Sequence, residues 1–345
     1  MKILFTGSTS KQTDDNAFKR AQVKRIDDST IICESLRKSG NEVIRKEVQH
    51  GEDLSSYDIG IVGVGALGSS NYGNIFSALY AIANLKKVIV FHEDWKIKDT
   101  IKSFKQSLEK KDVESHIKKK WSSGDNFYSN ITDNIDIKQI YSTMENILDG
   151  KYDCLVPSFE WGDKSIIADI LQTSIEKINT IDLTPYSLKA FGIEEKQMDV
   201  RLRDKKYMLA SLVDHSSWVK RQKLEHDVDY YGCKKLKSPR LDDEKHVFET
   251  MNKYWGILCP VYPHAGSGWF RIRYIYSAMN RNILIMDKKD SDALGIDHIA
   301  KIDPSWSTDE LLQIAEKQRM AIYKHLTTEE DFDRKINSII YTLTR

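Results

Sequence analysis

Short apolar runs alternate with longer amphipathic stretches along almost the whole chain, and this alternation limits the folds open to it more than any other feature. Lys2–Thr6, Ile59–Val64 and Lys87–Phe91 read as strands, the latter two apolar enough to be buried on both faces. Asn41–Glu47 is a strand with alternating apolar positions, and Cys154–Val156 and Thr180–Leu183 are further short runs. Between them lie helical patterns over Ile26–Lys38, Ile75–Leu85, Lys96–Trp121 and Ser165–Ile178. The pattern weakens through Gly192–Lys206 and then restarts, with strands at Tyr207–Val213, Val228–Tyr231, Trp255–Pro260 and Asn282–Asp287. Helical patterns cover Trp269–Met279, Thr308–Lys324 and Glu329–Thr344.

Strands alternating with helices imply α/β architecture, with parallel sheets covered by helices on both faces. A length of 345 residues exceeds what one core usually fills. The expectation is two doubly wound domains facing a central cleft: residues 1–195, residues 196–325, and a C-terminal helix (326–345) that packs back towards the first. In such sheets ligands bind beyond the carboxyl ends of the strands. The loops expected to border a ligand are therefore Gly7–Lys24, Gly63–Gly73, His92–Lys98, Asp214–Arg221 and Tyr262–Gly268.

Charge and cysteine content narrow the partners. Lys and Arg total 52 against 51 Asp and Glu, so no global basic field exists and any polyanion must be met locally. No apolar run approaches the roughly 18 residues needed to span a bilayer, so no membrane partner is expected. Cys33, Cys154, Cys233 and Cys259 form no C-x-x-C pair, which points to reduced thiols and a cytoplasmic location. The nine histidines show no metal-ligand spacing, and no structural metal is expected.

Several loops carry chemistry. His92-Glu93-Asp94 ends the strand at Phe91, where a carboxylate or imidazole faces the cleft and can accept a proton from an incoming hydroxyl; a solvated acidic turn reads equally well. In Asp214–Arg221, the hydroxyls of Ser216 and Ser217 at a helix start suit a phosphate, with Lys220 and Arg221 to neutralise it; a plain serine cap with two surface bases is the bland reading. His264, Gly266, Ser267 and Gly268 lead into a helix bearing Arg271, Arg273 and Tyr276, again an anion-binding arrangement, although a Gly loop with surface arginines has the same composition. Lys11, Lys19 and Arg20 in the first loop, and Lys96, Lys98 and Lys102 after His92, make a local basic rim for DNA if both clusters flank the cleft. Otherwise they are solvated helix faces. Gly63-Val64-Gly65-Ala66-Leu67-Gly68 matches a dinucleotide fingerprint, with Glu93 or Asp94 as the ribose-binding acid. Against that reading, the helix begins near Tyr72–Asn74, and a complete strand–helix unit precedes this strand.

Taken together, these residues resemble a GT-B glycosyltransferase, and specifically the phage DNA β-glucosyltransferases. Tyr57–Asp94 is similar to that family's strand, Gly-containing loop, helix and strand ending in Phe-x-acid, which places Glu93 on the family's catalytic aspartate. Cys154–Ile193 resembles its next strand, loop and helix. Ser211–Arg221 stands where the family has a Gly-Ser-rich loop with two arginines on the donor pyrophosphate; here the glycines are missing. Tyr230-Tyr231-Gly232 looks like its aromatic-Gly strand end. Ile272–Asp287 matches without a gap, putting Arg273 on the phosphate-binding arginine and Tyr276 on a ribose-holding glutamate.

The resemblance implies a monomeric, inverting transferase with a UDP-sugar donor. It implies an acceptor hydroxymethylated pyrimidine flipped from double-stranded phage DNA in the host cytoplasm, and leaves room for stimulation by a divalent metal, Mg²⁺ or Mn²⁺. Three alternatives stay open: a GT-B enzyme with a non-DNA acceptor, a dinucleotide-dependent oxidoreductase using Gly63–Gly68, and a non-catalytic nucleotide- or DNA-binding module.

Overall fold

The computed structural model describes residues 1–7, 28–48, 51–64, 72–92, 102, 106, 136–157, 164–190, 192–195, 200, 203–210, 227–231, 239, 241, 244–259, 272–286 and 288–345. Its strands form two wholly parallel sheets. The first has six strands in the order β2-β1-β3-β4-β5-β6. These are β1 (Lys2–Thr6), β2 (Glu42–Arg45), β3 (Ile59–Gly63), β4 (Val88–Phe91), β5 (Asp153–Pro157) and β6 (Ile178–Ile181). The second has four, in the order β10-β9-β7-β8: β7 (Asp204–Ala210), β8 (Val228–Tyr231), β9 (Tyr254–Leu258) and β10 (Ile283–Ile285).

The period-two alternation of β1 splits the first core in two. Leu4 joins Val62 and Val90 on one face, under α2 (Tyr72–Asn84) and α3 (Ile137–Leu148). Ile3 and Phe5 join Ile59, Ile61, Ile89 and Phe91 on the other, under α1 (Asp28–Lys38). On that second face lie Phe332, Ile336 and Ile340 of α10 (Glu329–Thr344), the last helix of the chain. Polar contacts fasten it there: the Tyr186 hydroxyl donates to Asp333 at 2.6 Å, and the Thr327 hydroxyl donates to Asp182 at 2.9 Å.

In the second half, Met208, Ile257 and Leu284 pack with α6 (Glu244–Met251) and α7 (Ile272–Asn280). Tyr207, Leu209, Trp255 and Ile283 face Leu311 and Ala315 of α9 (Thr308–Tyr323). Shorter helices are α4 (Lys164–Leu171), α5 (Thr184–Ala190) and α8 (Lys288–Leu294). Both long C-terminal helices open with reciprocal caps, Ser307 with Glu310 and Thr328 with Asp331, which satisfy amide groups that a helix start leaves bare.

Two local readings change. The helix expected over 165–178 stops at Leu171, because Gln172 takes a left-handed conformation (φ 46°) and the Thr173 hydroxyl donates to the Gly150 carbonyl at 3.0 Å. A single 3-10 turn, Ile175–Lys177, then leads into β6, which starts at Ile178 instead of Thr180. Helix α3 is an addition to the sequence reading, although Asp136 caps it through the Gln139 amide and Ile140, Met144 and Ile147 follow at helical spacing onto the core. The described cysteines Cys33, Cys154 and Cys259 are buried. Among the described residues no helix is long and apolar enough to cross a membrane.

Candidate functional site

The strand orders place one crevice on each sheet. From β1 the chain passes through α1 to β2 on one side and returns to β3 on the other, so β1 and β3 diverge at a topological switch point. β7 and β9 are related in the same way, with β8 on the far side of β7. Ligands of open parallel sheets bind outside the carboxyl ends of the strands at such points.

At the first crevice β1 ends in Gly7 with φ +75°, close against β3. A Cβ on Gly7 would lie 2.3 Å from the Gly63 carbonyl oxygen and 3.1 Å from Cβ of Ala78 on α2. Beside Gly7, just past β2, the Glu47 carboxyl accepts hydrogen bonds from the Gly7 amide and the Ser77 hydroxyl. The same Ser77 oxygen accepts from the Val48 amide at 2.8 Å, which leaves its proton for the carboxyl. Burial pushes the Glu47 carboxyl above its usual range, against the opposing pull of Ser77, Arg45 and the Gly7 amide. Further along the edge, the Val64 amide donates to the Phe91 carbonyl at 3.1 Å, and the His92 amide donates to the Leu155 carbonyl at 2.9 Å. His92 is therefore fixed at the carboxyl end of β4, and its side chain is buried.

At the second crevice α7 begins one residue before Arg273, in the connection from β9 to β10. Arg273 is half-buried, and its Nε is a buried donor with no hydrogen-bond partner among the described residues. One turn on, Tyr276 is fully buried, its ring edge-on to Phe248 at 5.7 Å between centroids. The other end of α7 is clamped. Arg203 donates to the carbonyls of Asn280 and Arg281, the latter at 2.8 Å, and lies over the Trp255 ring. Asn280 Nδ2 donates to the Phe248 carbonyl at 2.9 Å, and Asn282 Nδ2 to that of Met251 at 3.0 Å. The clamp fixes the end of α7, the helix whose first turn carries Arg273.

Of the residues singled out in the sequence, the structure places His92, Arg273 and Tyr276 as above, and Lys102 as an exposed helical residue. Glu93, Asp94, Ser216, Ser217, Lys220, Arg221, His264, Gly266, Ser267, Gly268, Lys11, Lys19, Arg20, Lys96 and Lys98 lie outside the described residues. Sequence reasoning passed over Glu47 and Arg203. Glu47 carried a usable signal, an acid at the carboxyl end of a strand next to a switch point; Arg203 stood in what reads as a linker. No group of three or more His, Cys, Asp or Glu side chains able to hold a metal occurs among the described residues.

No protein-family model and no curated protein sequence matches the chain. Solved structures do. The DNA-modifying enzyme β-glucosyltransferase, solved with and without uridine diphosphoglucose, matches with a TM-score of 0.51 at 10% identity, over 100% of this chain and 96% of that one. HepE of Anabaena in complex with UDP and glucose matches with a TM-score of 0.50 at 8% identity, over 99% of this chain and 100% of that one. Its complex with UDP-glucose gives the same TM-score at 9% identity. The likeness spans both sheets and the returning C-terminal helix: the chain has the GT-B fold, two Rossmann-like α/β halves.

Proposed function

We propose that the protein is an inverting glycosyltransferase that moves a sugar from a UDP-sugar to the hydroxyl of a hydroxymethylated pyrimidine in double-stranded DNA. The observation that carries this reading is the end-to-end likeness to the DNA-modifying β-glucosyltransferase, together with the buried Arg273 Nε, without a partner among the described residues, in the first turn of α7. In this reading residues 1–195 take the acceptor and 196–325 the donor, and the enzyme acts as a monomer in the cytoplasm. Arg273, Ser216, Ser217, Lys220, Arg221 and the His264–Gly268 loop hold the diphosphate, and their charges stabilise it as it departs. In this reading the α7 position of Tyr276 is the one nearest the donor ribose, although its ring is buried against Phe248. Glu93, Asp94 or His92 takes the proton of the acceptor hydroxyl as its oxygen attacks the anomeric carbon. Lys11, Lys19, Arg20, Lys96, Lys98 and Lys102 line the DNA path.

The dinucleotide reading loses ground on position. Its Gly pattern sits after β3, not after the first strand of the sheet, and a complete β1–α1–β2 unit precedes it. The likeness to HepE favours a second reading, the same donor chemistry with another acceptor.

The deciding experiment is UDP release from a panel of UDP-sugars, with and without duplex DNA carrying hydroxymethylated cytosine or uracil. Release that needs one sugar and one modified base supports the proposal and names both substrates. Release that DNA never stimulates moves the acceptor elsewhere, and absence of any UDP-sugar binding removes the reading. Two variants refine it. Arg273→Ala is expected to weaken UDP binding by about 1.5–3 kcal/mol, the worth of a charge-assisted hydrogen bond, measured by calorimetry. Glu93→Gln is expected to lower turnover at least ~100-fold with UDP affinity unchanged, as loss of a general base does; near-normal turnover would hand the role to Asp94 or His92.

A further inference from the structure

The acceptor half holds a carboxyl that the reaction just described does not use. Glu47 stands at the carboxyl end of β2, beside the crevice where β1 and β3 part. Its side chain is mostly enclosed, and its contacts divide unevenly. The Gly7 amide and the Ser77 hydroxyl both donate to the carboxyl, whereas Oε2 is buried with no partner among the described residues. A buried oxygen without a partner costs free energy unless a donor reaches it, and native proteins keep such groups mainly at sites. The crevice around it is built tightly. Gly7 has no room for a side chain against the Gly63 carbonyl.

The chemistry open to this oxygen is specific. Oε2 of a carboxylate accepts a hydrogen bond from a ligand O–H or N–H. It lies in the half expected to take the acceptor, on the same edge of the sheet as His92 at the end of β4. The charge that acts on it is Arg45 of its own strand, which also donates to Thr30 at 2.8 Å on α1. The neighbouring Lys46 is engaged by Glu52 and Tyr57. From α2 and β1 the groups that face it are the neutral Ser77 and Gly7. Among the described residues, the carboxyl therefore has room in its bonding for one further donor and no cation that saturates it.

We propose that the β1–β3 crevice is the pocket for the acceptor hydroxyl and that Glu47 Oε2 accepts its hydrogen bond, orienting the oxygen for attack and selecting acceptors that carry a hydroxyl. This rests on the glycosyltransferase reading and deepens it. Glu47 binds the acceptor, and proton removal stays with the groups at 92–94. The upward shift caused by burial agrees with a carboxyl held in a site and not on the surface.

Glu47→Gln separates this role from a structural one. The amide keeps a carbonyl oxygen for Gly7 and Ser77 and replaces Oε2 by an NH₂ group, which only donates. Three quantities are measured on wild type and variant: equilibrium UDP binding, kcat/KM for UDP release with a hydroxymethylated duplex, and the affinity of that duplex relative to one whose base carries a plain methyl group. Wild type is expected to prefer the hydroxymethylated duplex. The variant is expected to lose that preference and about 10- to 100-fold in kcat/KM, the range for a hydrogen bond to a charged group, with UDP affinity unchanged.

The fold is checked at the same time. A carboxyl whose folded pKa is raised adds stability at low pH and loses it as pH rises through the folded value, so wild type should lose denaturant stability relative to Glu47→Gln as pH rises above the ordinary glutamate range. If Gln fails to fold, Glu47→Asp, which withdraws the oxygen by one methylene, is read in the same assays with the same expectation. Wild-type kcat/KM in the variant, or a wild type indifferent to the hydroxyl, overturns the Glu47 assignment while UDP binding keeps the donor site. Failure of every UDP-sugar to bind takes down the glycosyltransferase reading instead.

Discussion

Replacing Arg203 by Ala is expected to destabilise the second half by about 2–5 kcal/mol, the cost of leaving two buried carbonyls without their charged donor. Arg203 is only 8% exposed, and its guanidinium lies over the Trp255 ring with 5.2 Å from Cζ to the ring centroid. Its two terminal nitrogens donate to the carbonyls of Asn280 and Arg281, which the end of α7 would otherwise leave without partners. Burial lowers its pKa to about 10, so it is still charged at neutral pH. Truncation would strand both carbonyls and open a void beside Trp255. Lysine would restore charge but not the two-pronged geometry, so Arg203→Lys should recover less than half of the loss. Chemical denaturation of the two variants measures this directly. Because α7 also carries Arg273, UDP affinity should fall in the alanine variant even where the protein is still folded. A stability within about 1 kcal/mol of wild type would mean that the Asn280 and Asn282 contacts hold the helix by themselves.

That network also shows which parts of the molecule could be read in the chain. Strands buried on both faces, such as β3 with all five residues buried, announce themselves as apolar runs, because no polar residue is tolerated on either side. Long helices with reciprocal caps, α9 and α10, carry their own start signals. The stop of α4 could not be read, because Ile175 and Ile178 continue the helical spacing while the chain has already turned at Gln172; that turn is fixed by Gly150, a residue from another connection. A Cβ on Gly150 would lie 2.7 Å from the Gln172 carbonyl, so the two segments specify each other only in three dimensions.

The candidate site divides in the same way. Arg273 was legible because it follows a Gly-rich loop into a helix. Glu47 was legible only as an acid at the end of a strand, because its bonding comes from Gly7 and Ser77, 40 and 30 residues away in the chain. Arg203 lay in a stretch whose pattern had weakened, and only the fold of α7 over β9 gives it partners.

Gly7→Ala is the second large effect, expected to cost about 2–5 kcal/mol, which combines the left-handed penalty of a Cβ with the displacement of packed neighbours. Its φ of +75° places the missing side chain 2.3 Å from the carbonyl oxygen of Gly63, and neither group is the flexible end of a side chain. Gly40 supplies an internal control. Its φ is +82°, yet nothing lies within 4 Å of the place a methyl group would take, so Gly40→Ala should cost only about 1–2 kcal/mol, the conformational part alone. The difference between the two variants isolates the close approach of β1 to β3. The functional consequence should differ as well. Pushing β1 away from β3 moves the Gly7 amide that holds Glu47, so Gly7→Ala should impair transfer to a hydroxyl acceptor in whatever fraction remains folded. UDP binding, which the proposal assigns to the other sheet, should follow the folded fraction alone. Equal costs for the two alanines would show that the ends of β1 and β3 relax apart freely, and a crevice that relaxes freely could not select an acceptor by the position of one carboxyl oxygen.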